Sequence, residues 1–360
     1  MATAYPLPLE VWVMFGRNRI IGSILLTIIL IGFLFLAPPF LSRGNSAEET
    51  AQQKDYSGII RIWHVVGFKP YSGSLGNTLS SVGKEIEKTH RGVFFEVKAM
   101  DEDEYEMRLA RGEHADILSF PLSLASSASL LTLSSSEELM LPDAWRGIGT
   151  AQDGTLHALP YTASSHILLV NTGLLQEMSE TLPEGAVSTE MLQQICDRIA
   201  SALKEKNRKG IGAVAGTQNA LQACGIAGET AEYDVFRKGK AVFAAADLRA
   251  VAEMRSLEKN GKGFAFAAYP LIVEQQELIQ LVSLDERMDD AKMPFAMEYV
   301  SLLFTEKVQK TLLDQGLISP YTALHSDDEP RDPLLVEVQK AFDPASIPNM
   351  YGADRKRRAE

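Results

Sequence analysis

The alternation of two hydrophobic periods between residues 59 and 120 constrains the fold more than any other feature of the sequence. Ile59–Val66 is a largely β-branched run that stops at Gly67. A Gly/Pro/Ser-rich loop follows, and then apolar residues at helical spacing over Leu79–Thr89. Val93–Val97 returns to a strand pattern, Glu104–Arg111 to a short helix, and Ala115–Phe120 (ADILSF) to a buried strand. This βαβαβ order predicts an α/β protein with a mostly parallel sheet, because parallel neighbours need a crossover between them. Ligands of such sheets sit in the loops that leave the C-terminal strand ends. The loop from Trp63 to Asn77 is therefore the first candidate site.

Downstream, DGTLHALP (Asp153–Pro160) reads as a turn into a strand, and His166–Val170 as another strand. Glu190–Lys206 reads as a long amphipathic helix, Ala241–Ala246 and Gly263–Ala268 as strands, and Pro294–Gln315 as one helix ending at Gly316. Upstream, Ile20–Ala37 carries no charge over 18 residues. At 1.5 Å per residue it reaches about 27 Å, close to the thickness of the bilayer's hydrocarbon core. Arg17 and Arg19 precede it and an acidic stretch follows, which places the N-terminus inside and the rest outside. The expectation is one transmembrane anchor over residues 20–41 behind a cytoplasmic segment 1–19; a cleaved signal peptide is the competing reading. Residues 42–56 read as a flexible tether. A net charge of −12 excludes the basic face that nucleic acid needs. The only cysteines, Cys196 and Cys224, read either as one disulfide or as two buried thiols, and no metal spacing surrounds them.

In the first loop His64, Lys69, Tyr71 and Ser72 offer stacking and hydrogen bonds; the bland alternative makes Trp63 a core residue and the Ser/Asn side chains helix caps. Ser119 and Phe120 end the ADILSF strand at the same sheet edge, while Asp116 reads as structural. Tyr161 and Ser164 would floor a cleft, or merely pack a hinge, and His166 reads as structural. Gly212–Leu221 reads as a Gly-containing loop running into a helix, where Gln218 can hydrogen-bond a ligand or face solvent. Arg249 can fork a carboxylate or pair with Asp247 or Glu253. Asp101–Glu104 reads as a helix start, and Asp285–Arg287 as a solvated turn. No catalytic motif is present, so no enzyme, cofactor or metal is expected.

Five segments in order resemble the extracytoplasmic solute-binding proteins of ABC importers, family 1, the class rich in carbohydrate binders. They are IRIWH (60–64), ADILSF (115–120), DGTLHALPYTASSHILLVNTGLL (153–175), YDVFRKGKAVFAAAD (233–247) and PFAMEYVSLLFTEKVQKTLLDQGLISPYTA (294–323). The resemblance implies two α/β lobes joined by hinge crossings, with lobe I over 57–163 and 271–320 and lobe II over 164–270 and 321–360. It implies a small-molecule solute between the lobes, ABC permease subunits as partners, and a single-pass protein with its globular part outside the cell membrane. The stretch between Asn171 and Tyr233 is short for the family, so lobe II is expected to be trimmed. Asp247-Leu248-Arg249 stands where the family often carries an aromatic residue. A sensor or interaction module on the same fold is the alternative function.

Overall fold

Each of two sheets in the protein contains a single strand that runs against its neighbours, and these two strands explain how the chain is arranged. The computed structural model describes residues 56–127, 130–133, 141–151, 153–182, 185–225, 230–273, 278–321, 332–347 and 349. The anchor, nearly all of the tether and the C-terminal tail lie outside the described residues. Among the described residues no helix is long and apolar enough to cross a membrane.

The first half of the chain runs β1 (Gly58–Val65), α1 (Leu75–Thr89), β2 (Val93–Met100), α2 (Glu102–Ala110), β3 (Ile117–Pro121), α3 (Asp143–Ile148) and β4 (Leu159–Ala163). It then passes to β5 (Ile167–Asn171), α4 (Thr172–Glu177), β6 (Val187–Ser188), α5 (Thr189–Glu205), β7 (Gly212–Gly216), α6 (Gln218–Ala223), β8 (Thr230–Glu232), α7 (Tyr233–Arg237), β9 (Ala241–Ala246), α8 (Leu248–Lys259) and β10 (Phe266–Ile272). It returns through β11 (Ile279–Leu284), α9 (Met293–Leu303), α10 (Glu306–Asp314) and α11 (Pro333–Ala341). The first sheet has the order β2-β1-β3-β11-β4 and the second β6-β10-β5-β9-β7-β8.

Both sheets are mixed rather than wholly parallel. In the first, β11 is antiparallel to both β3 and β4. In the second, β5 is antiparallel to both β9 and β10. Each reversed strand is the one that arrives from the other sheet. The chain leaves a sheet at the C-terminal edge of its parallel strands, so the receiving strand starts at that seam and must run away from it. The parallel strands of both sheets therefore end at one shared seam. Strand direction is invisible to a two-residue period, so the sequence pattern predicts a mostly parallel sheet without showing which strands are reversed.

Local chemistry explains the elements. Leu75, Leu79, Val82 and Ile86 bury one stripe of α1, one turn longer than the pattern predicts. Asp101 caps α2, accepting from Glu104 N at 2.8 Å. β9, AVFAAA, is buried along its whole length because helices cover both faces of its sheet. Gly212–Gly216 is strand β7 rather than loop; a Cβ at Gly216 would sit 2.5 Å from Ala245 O, so only glycine lets the turn into α6 come this close.

The expected single helix Pro294–Gln315 is two helices. Thr305 takes an extended conformation (φ −70°, ψ 149°), and its hydroxyl donates to Leu302 O at 2.7 Å. This local bond competes with helix continuation and starts α10 afresh. Asp285 is not a solvated-turn residue either: its carboxylate is 1% exposed and takes Arg287 Nη2 at 2.7 Å. Cys196 and Cys224 are both buried free thiols. Burial pushes each up to about 12.

Gln309, fully buried, ties the returning chain to the seam. Its Nε2 donates to Leu303 O at 2.8 Å and Tyr161 O at 3.2 Å, and its Oε1 accepts from Ser319 Oγ at 2.7 Å. Gln309→Leu strands two carbonyls and a hydroxyl in a dry site. The expected loss of unfolding free energy is about 3 kcal/mol, read from urea denaturation; a loss under about 1 kcal/mol would show that the seam does not depend on this side chain.

Candidate functional site

Three passages of chain lie together where the sheets meet. Ala163 N donates to Ile318 O at 3.0 Å and Ile318 N to Ala163 O at 2.9 Å, while Ser164 N donates to Leu278 O at 2.8 Å. On the far side Leu271 N donates to His166 O at 2.9 Å. The candidate residues gather around this seam, but in three different settings.

The first is a sealed polar network in the first sheet. The register pairs His64 with Ser119 and Val282 with Ser119, which brings β1, β3 and β11 side by side. Ser119 Oγ lies 3.0 Å from His64 Nδ1 and 3.0 Å from the Tyr161 hydroxyl, and accepts from Gln280 Nε2 at 3.1 Å. Gln280 Nε2 also donates to Val65 O at 2.9 Å. His64, Ser119, Tyr161 and Gln280 are all buried, as is Phe120 beside them. The structure thus brings three candidate residues together and closes them to solvent. Burial holds the Tyr161 hydroxyl well above the usual phenol range, so it stays protonated. Trp63 is a core residue, edge-on to Tyr105 at 6.2 Å between ring centres, with the Arg108 guanidinium 5.7 Å from its own ring centre.

The second setting is a pair of arginine contacts across the seam. Arg249 Nη2, at the start of α8, donates to Gly73 O at 2.6 Å in the loop after β1. It pairs with neither Asp247 nor Glu253. Arg255, two turns on, donates to the Tyr71 hydroxyl at 3.1 Å and lies 5.8 Å from the Tyr71 ring centre. Asp332, which caps α11, holds the same guanidinium. Ser72 is fixed from its own side, its N–H donating to Gln315 O at 3.3 Å. The loop that offers most polar groups is therefore held onto the second sheet's helix.

The third setting is a cavity of about 300 Å³ under that loop. Gly67, Phe68 and Lys69 form one wall, Thr217, Ala220 and Asp247 the opposite wall, and His166 and Leu278 the seam between them. Of the candidate residues only Lys69 lines it. Ser164 is buried at the seam with its hydroxyl unpartnered among the described residues, and the side chain of Gln218 lies outside the described residues. His166, read from sequence as a satisfied structural residue, is buried with Nδ1 unpartnered. Asp247 caps α8 through Ala250 N at 3.1 Å; burial raises its carboxyl above the usual range, and Lys69 partly offsets this. The signal available in sequence for Asp247 was its position directly after an apolar strand. For His166 there was none beyond its place between two predicted strands.

No known family profile and no curated protein matches the sequence. Solved structures do match the architecture. The cyclic α-maltosyl-1,6-maltose binding protein of Arthrobacter globiformis aligns with TM-score 0.56 at 14% identity, over 82% of this chain and 88% of that one. The chain shares its fold with solute-binding proteins. A putative oligosaccharide periplasmic-binding protein from Synechococcus sp. MITs9220 gives 0.55 at 11% identity over 82% and 88%. RafE from Streptococcus pneumoniae gives 0.53 at 12% over 79% and 86%. Each sheet with its helices forms one lobe in the geometric sense, and the seam is where the two sheets meet.

Two outcomes follow from this geometry. Burial holds His64 and His166 down to about 4, whereas an unfolded chain protonates them near pH 6.5. Between those values the unfolded state binds more protons, so stability is full above about pH 6.5 and is lost as pH falls toward 4. Urea midpoints measured across that range should fall, and less steeply in His166→Phe; a flat profile would contradict neutral burial. Separately, Arg249→Ala with Arg255→Ala removes both contacts across the seam. Small-angle scattering should then show a larger radius of gyration, and an unchanged radius would mean that other contacts hold the lobes.

Proposed function

We propose that the protein is a membrane-anchored extracytoplasmic solute-binding protein of an ABC importer. It captures a small polar solute, a carbohydrate or a related compound, between its lobes and delivers it to permease subunits. The observation that carries this reading is the facing of the two sheets' C-terminal edges across one seam, with a cavity at their junction. Capture works by hinge rotation at the three crossings, and solute selects the closed form by touching both lobes. The apolar run of residues 20–41 supports a single-pass anchor, with residues 42–56 as the tether. The fold neighbours quoted are named for oligosaccharide or maltose-type ligands in two cases, which supports the carbohydrate class.

A second reading, a tethered sensor or interaction module on the same fold, is favoured by one observation. The lobes are held together by the protein's own side chains, Arg249 on Gly73 O and Arg255 on the Tyr71 hydroxyl, over a cavity of only about 300 Å³.

A thermal-shift screen of the full-length protein against sugars, oligosaccharides, sugar phosphates and organic acids separates the two. A solute at about 100 times its dissociation constant adds roughly 2.7 kcal/mol, a shift of several degrees. Such a shift, lost in Arg249→Ala with Arg255→Ala, supports capture by lobe closure. A folded protein that shifts with no solute of any class supports the tethered module.

A further inference from the structure

The cavity under the loop after β1 differs chemically from a site built for a neutral sugar. Each lobe brings one formal charge to it, of opposite sign. Lys69 stands on the first lobe and makes no ion pair among the described residues; Asp247 stands on the second lobe, with its carboxylate engaged by the backbone N–H of Ala250. Between them, at the hinge, His166 presents a buried ring whose Nδ1 has no partner among the described residues. Gln280 Oε1 and Ser164 Oγ are also buried without a partner among the described residues, but neither residue lines the cavity. Native interiors leave few buried polar atoms unpaired, so the open His166 Nδ1 in the cavity lining is a place where a ligand can complete the hydrogen bonding. The apolar lining comes from Val66, Phe68, Ala220 and Leu278; its one aromatic residue, Phe68, is buried and offers little face for stacking on a pyranose.

We propose that this cavity takes a compact zwitterion of the α-amino-acid type, with its carboxylate on Lys69, its ammonium on Asp247 and a further hydrogen bond to His166. The inference rests on the capture reading and narrows its solute to this class. A neutral polyol between the lobes would desolvate Lys69 and Asp247 while leaving each only the other's charge across the cavity. A simple anion would be drawn to Lys69 but repelled by Asp247, and a simple cation the reverse. A zwitterion of the right length pairs both charges and touches both lobes, which is the differential contact that selects the closed form. A volume of about 300 Å³ lies at the low end for ligand cavities and suits one amino acid with a small uncharged side chain. A longer oligosaccharide would have to break the Arg249–Gly73 and Arg255–Tyr71 contacts to enter.

Isothermal titration of the full-length protein tests this. The probes are L-alanine, L-serine, L-proline and glycine betaine, with glucose, maltose and maltotriose as neutral counterparts. At least one zwitterion should bind, and Lys69→Met and Asp247→Asn should each weaken it about tenfold or more. Propionate and alanine amide, which each carry one of the two charges, should bind at least about tenfold more weakly than alanine. Asn caps a helix about as well as Asp, so the second variant keeps α8 intact, and its melting curve checks this. Binding of a neutral sugar without any zwitterion overturns the proposal while leaving solute capture standing. Zwitterion affinity that neither variant changes also overturns it, by placing the solute elsewhere. Silence from every probe counts against both the zwitterion and capture by this cavity.

Discussion

A reciprocal pair of backbone hydrogen bonds between Ala163 and Ile318 holds two passages of chain together where the sheets meet, and the rest of the architecture follows from that junction. Because the crossings are stitched at the C-terminal edges of the parallel strands, β5 and β11 must start there and run outward. That direction turns the remaining strand ends inward. Gln309 reinforces the junction from within, bonding the Tyr161 carbonyl of one passage and the Ser319 hydroxyl of another. The junction is narrow, and its crossing strands pair their backbone groups with one another.

The contacts that close the lobes are weaker than those that join them. Arg249 and Arg255 reach across from α8, but both sit at the surface, where a charged contact is worth about 0.2–1 kcal/mol. Two such contacts bias an equilibrium by no more than about tenfold to thirtyfold. A solute making one good charged hydrogen bond to each lobe can outweigh or add to that bias. The sealed network of His64, Ser119, Tyr161 and Gln280 plays a different part. Low dielectric makes it costly to break, so it fixes the strand ends that carry the loop above it.

Much of the fold was legible in sequence because β-branched runs and helical stripes are local signals. The strand at Ala241–Ala246 was readable to the residue, and α5 within one. The reversed strands were not, since β5 and β11 have the same apolar composition whichever way they run. The split at Thr305 was missed because a single hydroxyl, not a change of period, ends the helix. The site was harder. Ser119 and Tyr161 were correctly drawn to one sheet edge, but sequence could not show that they would satisfy each other and be shut in. Lys69 was readable as a candidate because it lies in the loop that leaves the first strand's C-terminal end, and it does line the cavity. His166 and Asp247 matter only through the approach of one lobe to the other, and no window of sequence contains that approach.

The two cysteines carry a practical consequence. Cys196 and Cys224 sit unbridged within the core of the second lobe, each with its thiol kept protonated by burial. The folded body therefore owes none of its cohesion to a covalent cross-link. Its folding needs no oxidative step, so the body can form in reducing as well as in oxidising surroundings.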